Sequence, residues 1–296
     1  PRSTLFPYTT LFRSEMGARV IKIERPPHGD NARRLGAGGF AAVNRGKESL
    51  MVDMKDEAQR AQVRQLVASA DILVESYRPG VMARLGMDFA SLQAGCPRLV
   101  YVSLSGYGQT GPWAHLPGHD INYLAAAGVV AVSGEAGGAP ALGAGLPVAD
   151  LCGAMYALSS TLAALFQREA TGRGQHLDVS LADCALHWMN PRLGTYRESG
   201  AATLEAQREA ALVKPAYGAF ACRDARYLSI AALEDHFWQR LCEAVDLAPF
   251  DGETYRSFKQ RKPHAQAINQ RIADAVKDRD ADELFECLSR HDVPVA

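Results

Sequence analysis

Four short runs rich in Val, Ile and Leu, at residues 19–24, 49–54, 71–75 and 98–104, alternate with helix-forming stretches at 55–70 and 81–95. Strands separated by helix-length crossovers return to the same end of a sheet and so pair in parallel, with helices covering the faces. The chain is therefore expected to be α/β, with a Rossmann-like parallel sheet built from βαβ units. Residues 150–168 read as a long apolar helix, with Asp150 at or near its N-cap and Gly172 and Gly174 past its end. A strand at 176–181 and a helix reaching Trp188 follow.

The pattern changes after residue 196. Residues 197–215 hold few large apolar side chains and read as a linker between a large domain at 15–196 and a smaller α+β domain at 216–296. In the smaller domain, 219–232 reads as a hairpin turning at 223–225, and 234–245 as a helix. Residues 1–14 read as the translation of a sequencing adapter and are set aside as a non-native tail, and the smaller domain is expected to be truncated at its C-terminus.

Composition narrows the partners. Lys and Arg number 32 against 33 Asp and Glu, a net charge of −1, so no global field attracts nucleic acid or an anionic membrane. No run of about 18 apolar residues stands out as a membrane span. The six cysteines have no C-x-x-C spacing, which suits reduced thiols and a cytoplasmic location. Pro117 and Gly118 break the helix that would turn His115 and His119 into a metal clamp, and no metal is expected. The Gly134–Pro140 stretch is a loop without a following helix, not a dinucleotide fingerprint. Leu104-Ser105-Gly106-Tyr107-Gly108 is not the nucleophile elbow of a hydrolase.

Two residues offer acid/base chemistry. His119, in a loop entered through Pro117-Gly118, has an ordinary pKa near neutrality, and Asp150 opens the long helix. Two such groups on opposite sides of a carbon beside a carbonyl can remove a proton from one face and return it to the other. Asp150 would also serve as a plain helix cap, and the helix N-terminus could hold a thioester oxygen as it becomes an enolate. Arg25, Arg45, Lys47 and Arg78 are expected just after strands, where α/β sheets place ligands.

Several ordered segments carry a resemblance: Ala18 to Pro26, Glu75-Ser76-Tyr77-Arg78-Pro79-Gly80-Val81, Leu104 to Pro112, and Gly118-His119-Asp120-Ile121-Asn122-Tyr123. Together they resemble the family III CoA-transferase superfamily, of the CaiB/BaiF type, and within it most of all the α-methylacyl-CoA racemases. The resemblance implies that His119 and Asp150 exchange the α-proton of a 2-methylacyl-CoA. It implies that Glu234, in a segment where Asp235-His236 replaces the family's usual Pro-Gln, orients the histidine. It also implies that Arg25, Arg45, Lys47 and Arg78 meet the phosphates and adenine of CoA. No cofactor beyond CoA itself and an interlocked homodimer are expected. The alternatives are a CoA-transferase whose Asp150 carries covalent intermediates, in which His119 is dispensable, and a non-catalytic CoA-binding protein.

Overall fold

The computed structural model describes residues 16–34, 36–135, 137–141 and 145–296, so the segment set aside as a tail lies outside the described residues. In chain order the elements are β1 (Val20–Glu24), α1 (Ala37–Asn44), β2 (Lys47–Met51), α2 (Glu57–Ala68), β3 (Ile72–Glu75), α3 (Val81–Arg84), α4 (Phe89–Gln93) and β4 (Val100–Ser105). Then come α5 (Asp120–Ala126), α6 (Val148–Thr171), β5 (His176–Ser180), α7 (Leu181–Trp188), α8 (Asn190–Ser199) and α9 (Leu204–Leu212). The last are β6 (Tyr217–Ala221), β7 (Tyr227–Ala231), α10 (Asp235–Ala244), α11 (Phe258–Arg261), α12 (Ala265–Val276) and α13 (Ala281–Arg290). The chain forms two compact units, one running to Ala131 and resuming over residues 142–193, the other made of Val132–Ala141 and Gly194–Ala296.

In the first unit the strands pair in parallel as expected, but in two sheets, β1–β2 and β3–β4–β5. β4 is central and buried along its whole length. Its Val100, Val102 and Leu104 pack with α6 and α7, each such burial worth about 1.5–3 kcal/mol. The opposite face of the same sheet carries Glu75, Tyr101, Ser103, Ser105, His176 and Asp178, since side chains alternate along a strand. Toward the start of the strands that face is covered by Val63, Met82, Met87 and Leu92 from α2 to α4 and the loops between them, in a cluster that also takes in Ile23 and Val52. The helix expected over 81–95 is broken in two because Gly86 takes a left-handed conformation (φ 62°) that ends α3.

α6 is the longest element. Asp150 is its third residue, Pro147 is the N-cap, and Gly172 (φ 72°) closes it by donating to Arg168 O. Small residues line its buried face, namely Ala149, Cys152, Gly153, Ala154 and Ala157, and let it lie close to the sheet. By length and mean hydropathy (1.4) this helix could cross a membrane, which the sequence reading did not anticipate. Its buried face packs on β4, β5 and α7, as a core helix does.

In the second unit the β6–β7 hairpin turns with Ala225 at φ 61° and packs on α10, α12 and α13 around Trp238, Leu241, Ile268, Ile272 and Leu284. Residues 197–215, expected as a linker, hold the end of α8 and all of α9. They read as loop-like because these helices bury only Tyr196 and Arg208 between them. Arg208 donates to the carbonyls of Glu135 and Gly138, at 2.7 and 2.8 Å, and ties the Val132–Ala141 loop to this unit.

Candidate active site

The start of α5 and the start of α6 meet at one carboxylate. Asp120, first residue of α5, accepts through Oδ1 from the backbone N–H of Ala149 (2.7 Å) and of Asp150 (3.1 Å). A helix N-terminus leaves amides unpaired and favours a negative charge, so Asp120 caps α6 from outside the helix. His119, the exposed N-cap of α5, is held by its own backbone N–H donating to Asn122 Oδ1 at 3.0 Å. His119 and Asp150 are thus brought to one place, each within one link of Asp120.

Tyr123 sets the shape of the loop before His119. Its hydroxyl donates to Gly118 O at 2.6 Å, and its ring lies where a Cβ on Gly106 (2.3 Å) or on Gly118 (2.6 Å) would have to go. Tyr107 meets that ring edge-on, with centroids 5.2 Å apart. Hence the spacing of the two Gly-containing segments: one buried phenol needs a bare backbone on both. Burial and the Asp150 charge raise the Tyr123 pKa, and Arg78 opposes this, so Arg78 also acts on this corner.

Asp150 is the perturbed group. Its Oδ1 is buried with no hydrogen-bond partner among the described residues, and burial, with the neighbouring Asp120 charge adding to it, pushes its pKa up to about 7. An unpartnered carboxylate oxygen with this affinity for protons can act as a base or as a nucleophile. The amides of Ala149 and Asp150 serve Asp120, and that of Leu151 bonds Pro147 O, so these three do not supply the thioester-oxygen site expected at the start of the helix.

The four cations do not share an edge. Arg25 directly follows β1, and Arg78 lies three residues past β3, both exposed at strand C-terminal ends. Arg45 and Lys47 instead sit at the opposite end, where β2 begins, since Val20 pairs with Lys47 and Glu24 with Met51. Lys47 donates to Val43 O (2.6 Å) and Asn44 Oδ1 (3.1 Å), and burial, with Lys22 nearby, lowers its pKa to about 8. The turn carrying Arg25 is set by Glu24, which Arg33 holds in a two-pronged ion pair that pulls its pKa down to about 2. Glu234 belongs to the second unit, as the exposed N-cap of α10. Asp235, which follows it, accepts from Phe258 N–H (2.6 Å) and Arg261 (3.2 Å). Among the described residues no group of three or more His, Cys, Asp or Glu is placed to hold a metal.

The sequence profile of CoA-transferase family III matches residues 3–296. The chain belongs to this family. It is 34% identical to the acetyl-CoA:oxalate CoA-transferase of Acetobacter aceti over 98% of this chain and 76% of that protein. It is 32% identical to the succinate–glutarate CoA-transferase of Agrobacterium fabrum, covering 95% and 73%. The human α-methylacyl-CoA racemase is 31% identical over 81% of this chain and 61% of its own. In structure, a CAIB/BAIF family protein from Brucella suis superposes with a TM-score of 0.83 at 29% identity, covering 98% of this chain and 79% of that one.

Motif reading passed over Asp120: it stands beside His119, yet its carboxylate works on the next helix. An Asp-Ile-Asn sequence opening a helix signals only a local cap. Asp120→Asn keeps an Oδ1 acceptor for both amides but removes the like charge. The acid limb of kcat/KM should therefore move to lower pH while staying above the ordinary carboxylate range, because burial is the larger cause and is untouched. A limb that does not move would show that Asp120 acts on α6 through the cap alone.

Proposed function

We propose that this family III enzyme is a CoA-transferase in which Asp150 is the nucleophile. The observation that carries the reading is the Oδ1 of Asp150 at the head of α6, buried and without a hydrogen-bond partner among the described residues. In ionised form that oxygen attacks the thioester carbonyl of an acyl-CoA. The C–S bond breaks, leaving an acyl-aspartyl anhydride and CoA thiolate, and the thiolate attacks the aspartyl carbonyl to release the first acid. The acceptor carboxylate then takes the aspartyl group from CoA, and the thiolate attacks the acceptor's carbonyl, which restores Asp150. Transferase relatives that match nearly the whole chain support this reading, and their names point to short dicarboxylates as acceptors. Arg25 and Arg78, exposed at the strand ends, are the cations assigned to the CoA phosphates. The cycle draws on no group beyond CoA.

His119 favours a second reading, the racemase, because it adds an exposed imidazole next in the chain to Asp120, whose carboxylate holds the Asp150 amide, and inversion through an enolate needs a second acid/base. One experiment separates the two. The protein is given an acyl-CoA in deuterated water with and without oxalate, succinate or glutarate, and a chiral 2-methylacyl-CoA alone. A transferase makes a new thioester only with the acceptor and incorporates no deuterium at the α-carbon. Deuterium incorporation without acceptor would overturn the proposal in favour of the racemase, and neither reaction would reject both.

A further inference from the structure

The polar face of the β3–β4–β5 sheet holds a second group of buried functional side chains that the proposed chemistry does not use. A cavity of about 280 Å³ is lined there by Glu75, Asp88, Tyr101 and Ser103, with Met82 and Phe89 on its apolar side, and with Arg78, Gln109 and His176 completing the rim and wall. Tyr101 is 1% exposed, and its hydroxyl has no hydrogen-bond partner among the described residues. A buried phenol without a partner costs free energy that a ligand in the cavity would recover.

The wall is rich in acceptors. Glu75 is 8% exposed and accepts from Tyr77 N–H (2.8 Å), with Ser103 opposite it on the neighbouring strand, so among the described residues lone-pair positions of its carboxylate stay open. Ser103 Oγ in turn bonds His176 Nε2 at 2.9 Å, and that imidazole stacks on Phe89, so neither group is spare. Asp88 adds a second carboxylate, bonded by the Ser91 hydroxyl. Arg78 is the one cation in the lining, and it is exposed at the mouth. Burial raises the Glu75 pKa, and no cation acts on it to reverse this. Two carboxylates against a single exposed guanidinium make the interior of this cavity favour a cation over an anion.

We propose that the interior of this cavity, behind Arg78, binds a small organic cation, an ammonium or amidinium on a short apolar stem. The N–H groups would bond Glu75, Asp88 and the Tyr101 oxygen, and the stem would lie against Met82 and Phe89. Charge-assisted bonds to a buried carboxylate are the strong kind, and they discriminate against an uncharged isostere.

The test is a titration of the whole protein with benzamidinium and with neutral benzamide, followed by calorimetry and by NMR, and it requires no turnover. Saturable binding of benzamidinium is expected, at least about tenfold tighter than benzamide, and weakened about tenfold or more by Glu75→Gln. Tyr101→Phe, which removes only the unpartnered hydroxyl, should weaken it less and leave the fold intact. In the unmutated protein, ring protons of the bound amidinium should show Overhauser contacts to Met82 and Phe89. No saturable binding at millimolar concentration, equal affinity for benzamide, or contacts elsewhere on the protein would each overturn the site. Because nothing here depends on Asp150, its failure would leave the transferase reading standing, and the reverse.

Discussion

Asp150→Asn is expected to lower acyl-CoA turnover by at least about 10³-fold, on the scale seen when a covalent nucleophile is removed. The amide is nearly the same shape, and its neighbours keep their places, but it neither attacks a thioester nor takes up a proton. The same substitution should stabilise the protein in mildly alkaline solution. Asp150 has a folded pKa of about 7 against an ordinary 3.8, so the folded state binds more protons than the unfolded state between those values. Stability contributed by this group is present at low pH and is lost as pH rises toward 7, where the buried charge forms next to Asp120. Asn carries no such charge. Loss of activity with a raised melting temperature at pH 8 is thus the signature, read by parallel kinetics and thermal unfolding. Residual activity within tenfold of normal would remove Asp150 from the chemistry. His119→Ala divides the readings further: a transferase keeps most of its turnover, whereas a racemase loses inversion.

The largest effect on stability is expected at Gly174, far from the chemistry. It leads into β5, donates its N–H to Pro97 O, and lies so near the start of β4 that a Cβ would be 2.0 Å from Leu99 O and 2.3 Å from Leu99 C. The obstruction is backbone, which cannot rotate away as a side chain would. Gly174→Ala should therefore cost about 3 kcal/mol or more and lower Tm by roughly 6–12 °C. Gly194→Ala is the control: in α8 a Cβ there meets nothing within 4 Å, and the variant should be neutral or slightly stabilised. Equal effects at the two positions, measured by calorimetry, would contradict the packing argument.

Strand positions, the long helix and the hairpin could be read from residue patterns because each is an effect of local periodicity. The run at 71–75 and the run at 98–104 became β3 and β4, and Gly172 ended α6 where its freedom at positive φ predicts. The break at Gly86 was also written locally, but the apolar spacing across 81–95 concealed it. The low apolar content of 197–215 does not tell a loop from the helices that stand there, since solvent-facing helices and linkers share that composition.

At the site, the sequence by itself determined the chemical types, an imidazole at His119 and a carboxylate at Asp150, and marked them through the Gly-rich segments that seat Tyr123. Only the tertiary structure decided how they are tuned. Asp120 takes the helix amides, Asp150 is left with an unpaired oxygen, and Lys47 is turned toward the end of α1 rather than a strand exit. It also placed Glu75, Tyr101 and Ser103 around one cavity. Residue types are a property of the chain, but desolvation and hydrogen-bond partnership depend on which segments pack together. Glu75 and Ser103, paired across the sheet, and Asp120 and Asp150, bonded between helices, are each far apart in the chain, beyond the reach of any local pattern.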